Sequence, residues 1–236
     1  MNFGTVLFIF VLIPITFFGL VYSFFVNLID STGDRFNKIS IWWSRLDIKL
    51  FGISIDVKGR DNYNPNKNYL VVSNHVGMAD IPILIGILNL NIRLVAKEDI
   101  GKIPLFGRVI KKAGYIMIKR GQNREALNSL LAATEVLKSG RSMLIFPEGT
   151  RSATGELQPF KRGAFLVAQQ GRAPVLPVTI IGTHLITPKN SFKINKGKVK
   201  IIIGKPIEPS SFKNAEELMA ASFKTIESNL LRYRNS

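Results

Sequence analysis

Tyr69-Leu70-Val71-Val72-Ser73-Asn74-His75-Val76-Gly77-Met78-Ala79-Asp80 is the stretch on which the reading of this chain turns. It opens with a short apolar run of the kind found in strands buried on both faces. In a straight helix the five-residue step from His75 to Asp80 turns about 500°, leaving the side chains about 140° apart. The two meet only where the chain bends, as at a strand-to-helix turn, and Gly77 makes such a bend cheap. Histidine is the commonest general base near neutral pH, and a carboxylate on its other nitrogen holds it in one tautomer. The same residues equally suit a helix-capping Asp beside a satisfied histidine, and this stretch alone does not choose.

Six more short runs resemble the first: Ile53–Val57, Arg93–Ala96, Tyr115–Ile118, Met143–Phe146, Val175–Ile180 and Val199–Ile203. Helical patterns lie between and after them. Asn123–Lys138 places Leu127, Leu130, Leu131, Thr134 and Leu137 on one face and is stopped by Gly140. Arg162–Gln170 suits another helix, and Met219, Phe223, Ile226, Leu230 and Tyr233 recur at helical spacing. Strands alternating with helices predict an α/β fold, a mixed, largely parallel sheet flanked by helices. Sites in such sheets form at strand ends, where loops meet helices.

A second turn follows the run Met143–Phe146 and reads Pro147-Glu148-Gly149-Thr150-Arg151-Ser152. A glycine-bearing turn presents backbone N–H groups to an anion, and an arginine fork matches a phosphate. The alternative is a surface turn with a solvated arginine.

Composition narrows the remaining classes. There is no cysteine, which removes disulfides, zinc–thiolate sites and cysteine nucleophiles. The two histidines, His75 and His184, show no HExxH-type spacing, so no metal site is expected. The net charge of +16 draws polyanions: nucleic acid, anionic lipid headgroups, a phosphorylated substrate or an acidic carrier. Charge alone does not choose among these, and ordinary solubility accounts for it as well.

Residues 1–29 contain no Asp, Glu, Lys or Arg. The run meets the roughly 20 apolar residues that a spanning helix needs. Pro14 interrupts it, so either one kinked spanning helix or two shorter helices dipping into one leaflet are expected. Arg35, Lys38, Arg45 and Lys49 follow, with Trp42 and Trp43 among them. Basic flanks favour the cytoplasmic side, and tryptophans favour the lipid–water interface. The composition changes near residue 50. Residues 1–49 are therefore read as a membrane-anchoring helical segment and residues 50–236 as the functional domain, on the cytoplasmic face.

The His75-x4-Asp80 box followed by Phe146-Pro147-Glu148-Gly149-Thr150-Arg151-Ser152 resembles the glycerolipid acyltransferase superfamily, and most closely the 1-acyl-sn-glycerol-3-phosphate acyltransferases. Two further blocks agree. Lys97-Glu98-Asp99-Ile100, with Ile103-Pro104, Gly107 and Gly114 to Arg120, resembles the family's second block, and Val175-Leu176-Pro177-Val178 its fourth. The blocks run in order from about residue 70 to 180. Gly77 stands where the family often has Ser or Thr, and Lys119 where it often has Asp.

The resemblance implies that His75 is the general base and that Asp80 orients it. It implies a substrate-binding set of Lys97, Arg120, Glu148, Gly149, Thr150 and Arg151, with Glu148 orienting an arginine or the glycerol hydroxyl. Pro177 is expected at the acyl-chain wall. Lys161 and Arg162 are read as a solvated face, and His184 as a loop residue. The implied reaction moves a fatty acyl group from acyl-CoA or acyl carrier protein to the sn-2 hydroxyl of lysophosphatidate, with no cofactor. The absence of Cys and of a Gly-x-Ser-x-Gly elbow agrees with direct attack. Expected partners are the lysophospholipid, the donor and anionic membrane lipids, without nucleic acid. Other acceptors, such as a lyso-ornithine lipid or lysophosphatidylcholine, and a non-catalytic basic membrane-binding module are the competing readings.

Overall fold

The structure is a computed structural model that describes residue 6 and residues 8–118, 123–189, 191 and 193–233. Its centre is a seven-stranded sheet: β1 (Ile53–Lys58), β2 (Leu70–Ser73), β3 (Ile92–Lys97), β4 (Ile116–Ile118), β5 (Ser142–Ile145), β6 (Val175–Ile181) and β7 (Gly197–Ile203). The spatial order is β1-β7-β6-β2-β5-β3-β4. Neighbours are parallel except β6 and β7, which are antiparallel. Each apolar run expected to be a strand is one, within two residues at either end. The mixed, largely parallel sheet is therefore the architecture the sequence predicts.

Alternation along β2 shows why these strands read as continuous apolar runs. Val71 enters one core with Ile83, Leu84, Leu88 and Ile180. Leu70 and Val72 enter the other with Leu137, Met143, Phe165 and Leu218. Both faces are covered, so neither side of the strand is polar.

The helices are α1 (Ile13–Ile29), α2 (Asp34–Leu50), α3 (Asp80–Leu88), α4 (Phe106–Lys112), α5 (Asn123–Lys138), α6 (Gly163–Gly171), α7 (Thr183–Ile186) and α8 (Ala215–Tyr233). Pro14 lies in the first turn of α1, directly after a π-helical turn at Phe8–Leu12. The chain stays helical through the proline, within the single stretch Phe10–Ile29, and the wide turn before Pro14 takes up its missing N–H. The basic, tryptophan-bearing stretch that closes the anchoring segment is a second helix, α2, beside α1, and the Trp43 indole N–H donates to Thr16 Oγ1 at 3.0 Å. Finally, α3 and α4 received no helical prediction. Each is short, and α3 is apolar on nearly all sides because it packs between β2 and α2.

The N-terminal helices are docked on the sheet domain. The Asn37 side chain donates to the Leu90 carbonyl and accepts from the Ile92 N–H, at 3.1 and 3.0 Å. Asp34 accepts from the guanidinium groups of Arg93 at 2.7 Å and Arg141 at 2.9 Å. Arg93 is 1% exposed, so Asp34 neutralises a charge held out of water. The outward face of α1 remains apolar, with Phe18 70% and Ile29 80% exposed. The helical stretch Phe10–Ile29 is long and apolar enough to cross a membrane.

Candidate active site

β2 and β5 are hydrogen-bonded parallel neighbours, so the turns after Ser73 and Ile145 leave the sheet side by side at its carboxyl end. That adjacency brings the two sequence motifs together across 73 residues of chain. The backbone N–H of Ser152 donates to the His75 carbonyl at 2.7 Å. The backbone N–H of His75 donates to Glu148 Oε1 at 2.8 Å.

The bend anticipated between His75 and Asp80 is present. His75 Nδ1 lies 2.7 Å from Asp80 Oδ2, and α3 begins at Asp80. The same oxygen accepts from the N–H groups of Val76 at 2.7 Å and Gly77 at 2.9 Å. Oδ1 accepts from the Thr183 hydroxyl. A carboxylate accepts all four donors, whereas a carboxylic acid would press its own proton against one of them. Nδ1 of the imidazole therefore carries a proton, and Nε2 keeps the lone pair that can take another. The ring is stacked on Phe146, with centroids 4.0 Å apart and planes 18° from parallel. It is 17% exposed, while Asp80 is fully buried. The imidazole is thus gripped on one nitrogen and one face and open to a substrate on its remaining edge.

Asn74 holds this turn from behind. Its amide Nδ2 donates to the Ile180 carbonyl and its Oδ1 accepts the Ile180 N–H, both at 2.8 Å. The buried side chain thereby takes the place of a further ladder residue between β2 and β6. Gly77 has no space for a side chain, because a Cβ would lie 2.7 Å from the Thr183 carbonyl and 2.7 Å from Thr187 Oγ1. Thr187 Oγ1, which fills part of that space, accepts the Ala79 N–H at 3.1 Å.

Both oxygens of Glu148 accept from within the protein: Oε1 takes the His75 N–H and Oε2 takes the Gln158 amide at 2.9 Å. Burial pushes its carboxyl up to about 7, against the pull of those hydrogen bonds. Gly149 turns the chain at φ +73°, a conformation that favours glycine. Thr150 is exposed, and its carbonyl accepts from Gln158 at 3.3 Å.

Arg151 is half-buried, one residue from the Ser152 contact with His75, and its carbonyl accepts the Lys189 ammonium at 2.7 Å. The ammonium of exposed Lys161 lies 3.1 Å from where a Cβ on Gly149 would stand. The ammonium groups of Lys161 and Lys189 thus both lie against the turn that carries Arg151. Arg162 is elsewhere, paired with Glu216 of α8 at 2.7 Å. Lys97 is exposed at the carboxyl end of β3, on the far side of β5 from β2. Arg120, with Lys119 before it, lies outside the described residues. Pro177 is buried within β6, paired with Val72, and its ring lies against Gly204. The His184 ring packs on Gly155. Among the described residues no group of three or more His, Cys, Asp and Glu is placed to hold a metal ion.

Four contributors were not singled out from sequence: Asn74, Thr183, Gln158 and Lys189. Asn74 adjoins the histidine and was within reach of suspicion. Thr183 opens the short helix α7 and Gln158 and Lys189 lie on loops, and the composition around them carries no local signal.

An acyltransferase family model matches residues 54–181, which spans both turns and six of the seven strands up to the end of β6 apart from β7. The chain belongs to the acyltransferase family. Among acyltransferases it is 37% identical over 186 residues to a chloroplastic 1-acyl-sn-glycerol-3-phosphate acyltransferase of Brassica napus, covering 78% of this chain and 54% of that one. It is 36% identical over 162 residues to the 1-acyl-sn-glycerol-3-phosphate acyltransferase of Saccharomyces cerevisiae, covering 67% and 53%. The chain spans about half the length of the curated relatives it matches. The crystal structure of the 1-acyl-sn-glycerophosphate acyltransferase of Thermotoga maritima superposes with a TM-score of 0.83 at 27% identity, over 98% of this chain and 95% of that one. That acyltransferase match takes in the N-terminal helices as well as the sheet domain.

Proposed function

We propose that this acyltransferase moves a fatty acyl group from acyl-CoA or acyl carrier protein to the sn-2 hydroxyl of lysophosphatidate, giving phosphatidate. The observation that carries the reading is the contact between the two turns. It sets an imidazole steered by Asp80 next to the backbone that bears Arg151.

His75 Nε2 removes the proton of the acceptor hydroxyl as its oxygen bonds to the thioester carbonyl carbon. Collapse of the tetrahedral intermediate breaks the C–S bond, and the departing thiolate takes the proton from the imidazolium. Asp80 stabilises that imidazolium. Arg151 and Lys97, with Arg120, hold the phosphate of the acceptor; Lys161 and Lys189 add to the positive field at the turn.

Membrane attachment belongs to the same reading, since substrate and product are lipids. Residues 1–49 form the attachment, and residues 50–236 carry the chemistry on the cytoplasmic face. The exposed apolar face of α1, with Trp42 and Lys38 exposed on α2, supports it.

The test is thioester release with a panel of lysolipids. Lysophosphatidate is the expected acceptor, and His75→Ala is expected to lower kcat about a hundred- to ten-thousandfold. Full activity in His75→Ala overturns the mechanism. Preference for lysophosphatidylcholine overturns the acceptor.

A further inference from the structure

We infer that Thr183 is a positioning residue for acyl transfer: its hydroxyl sets the rotation of the Asp80 carboxylate and, through it, the orientation of His75. The inference rests on the reading of His75 as the base.

The argument begins with how Asp80 divides its hydrogen bonds. Oδ2 receives three donors, all from the turn on which His75 itself sits. Oδ1 receives the Thr183 hydroxyl, and among the described residues no other donor to it is seen. Without the Thr183 hydroxyl the buried Oδ1 is left unsatisfied, which favours a turn about Cβ–Cγ toward other donors at the expense of the three bonds on Oδ2; a donor on each oxygen keeps the carboxylate square to the imidazole. Thr183 is fully buried, as is Asp80, so no solvent stands in when the hydroxyl is lost.

Thr183 is itself held by the fold. It opens α7 directly after β6, following Gly182 at φ +101°. Its carbonyl sits in the space left by the missing side chain of Gly77. One turn on, Thr187 accepts the Ala79 N–H. The β6–β7 connection therefore clasps the His75–Asp80 turn at three points. Only one of them, the Thr183 hydroxyl, touches the carboxylate.

Thr183→Val keeps the shape and removes the donor. The expected result is a fall in kcat of about ten- to a hundredfold, the size of a lost hydrogen bond to a charged group, with KM for both substrates unchanged. Thr183→Ser restores kcat. A purely structural role would instead lower the melting temperature and the active fraction while leaving kcat per folded enzyme intact. If Thr183→Val does not fold, Thr183→Ala is compared with Thr183→Ser at matched folded fraction; the serine variant is expected to be at least tenfold faster. Equal kcat for wild type and Thr183→Val, or for Ser and Ala at position 183, overturns the inference. His75→Ala, run alongside, separates the two failures. An inactive His75→Ala beside a fully active Thr183→Val sinks the role of Thr183 alone, whereas an active His75→Ala sinks the base assignment and this inference with it.

Discussion

The carboxylate of Glu148 accepts the backbone N–H of His75 at 2.8 Å, so the second motif holds the main chain of the first. Glu148 is 4% exposed, and both of its oxygens accept from within the protein. Burial raises its pKa from 4.5 to about 7. The folded protein therefore binds a proton at Glu148 that the unfolded chain releases above about 4.5. This stability contribution is present below pH 4.5 and is lost as pH rises through about 7. Glu148→Gln keeps an acceptor for the His75 N–H and, once the Gln158 amide rotates, donates its own NH2 to the Gln158 carbonyl oxygen. Thermal melts of this variant are expected to lack the decline seen in the wild type between those two pH values, a difference of at most about 3 kcal/mol. Equal pH dependence of the two melts would count against the buried-acid account.

Asn74→Ala strips both hydrogen bonds from the Ile180 backbone and leaves a buried N–H and C=O without partners. The expected cost is about 2–4 kcal/mol. Because the turn that carries His75 is attached through this amide, kcat should fall as well. Denaturant unfolding and single-turnover rates check the two effects, and a loss below about 0.5 kcal/mol would show that the ladder closes without the amide.

At Gly77 a new side chain collides with the Thr183 carbonyl. Gly77→Ser is therefore expected to reduce stability by about 1–3 kcal/mol. Thr187→Ala in the same chain relieves only one of the two contacts and should recover part of the loss. A double-mutant cycle measures the coupling; strict additivity would mean that the two positions do not compete for the same space.

Asp47 lies on the inward side of α2, 5% exposed, and its Oδ1 has no hydrogen-bond partner among the described residues. Burial raises its pKa from 3.8 to about 8. Its stabilising contribution is complete below 3.8 and disappears as pH rises through about 8. Asp47→Asn removes the charge while keeping the shape. The variant should match the wild type near pH 4 and melt about 5 °C higher or more near pH 8. A constant difference across that range would place the effect in packing instead of charge.

Much of the fold was legible because its signals are local. β-branched runs separated by turn residues specify strands wherever both faces are to be covered, and β1–β7 lie where those runs do. α5, α6 and α8 declare themselves through one-sided apolar spacing. α3 and α4 do not, since a helix short and buried all round has no amphipathic period to detect.

For the site, the sequence alone determined the chemical groups: a histidine and an aspartate five residues apart across a flexible turn, and a glycine–arginine turn some seventy residues on. Residue identity and short-range geometry suffice for that. Only the tertiary structure decided what those groups touch. The pairing of β2 with β5 sets Glu148 on the His75 backbone, and the path of the chain after β6 delivers Thr183 to Asp80. Such contacts follow from strand order and loop direction, which arise from burying two faces of one sheet at once and leave no trace in any single stretch of residues.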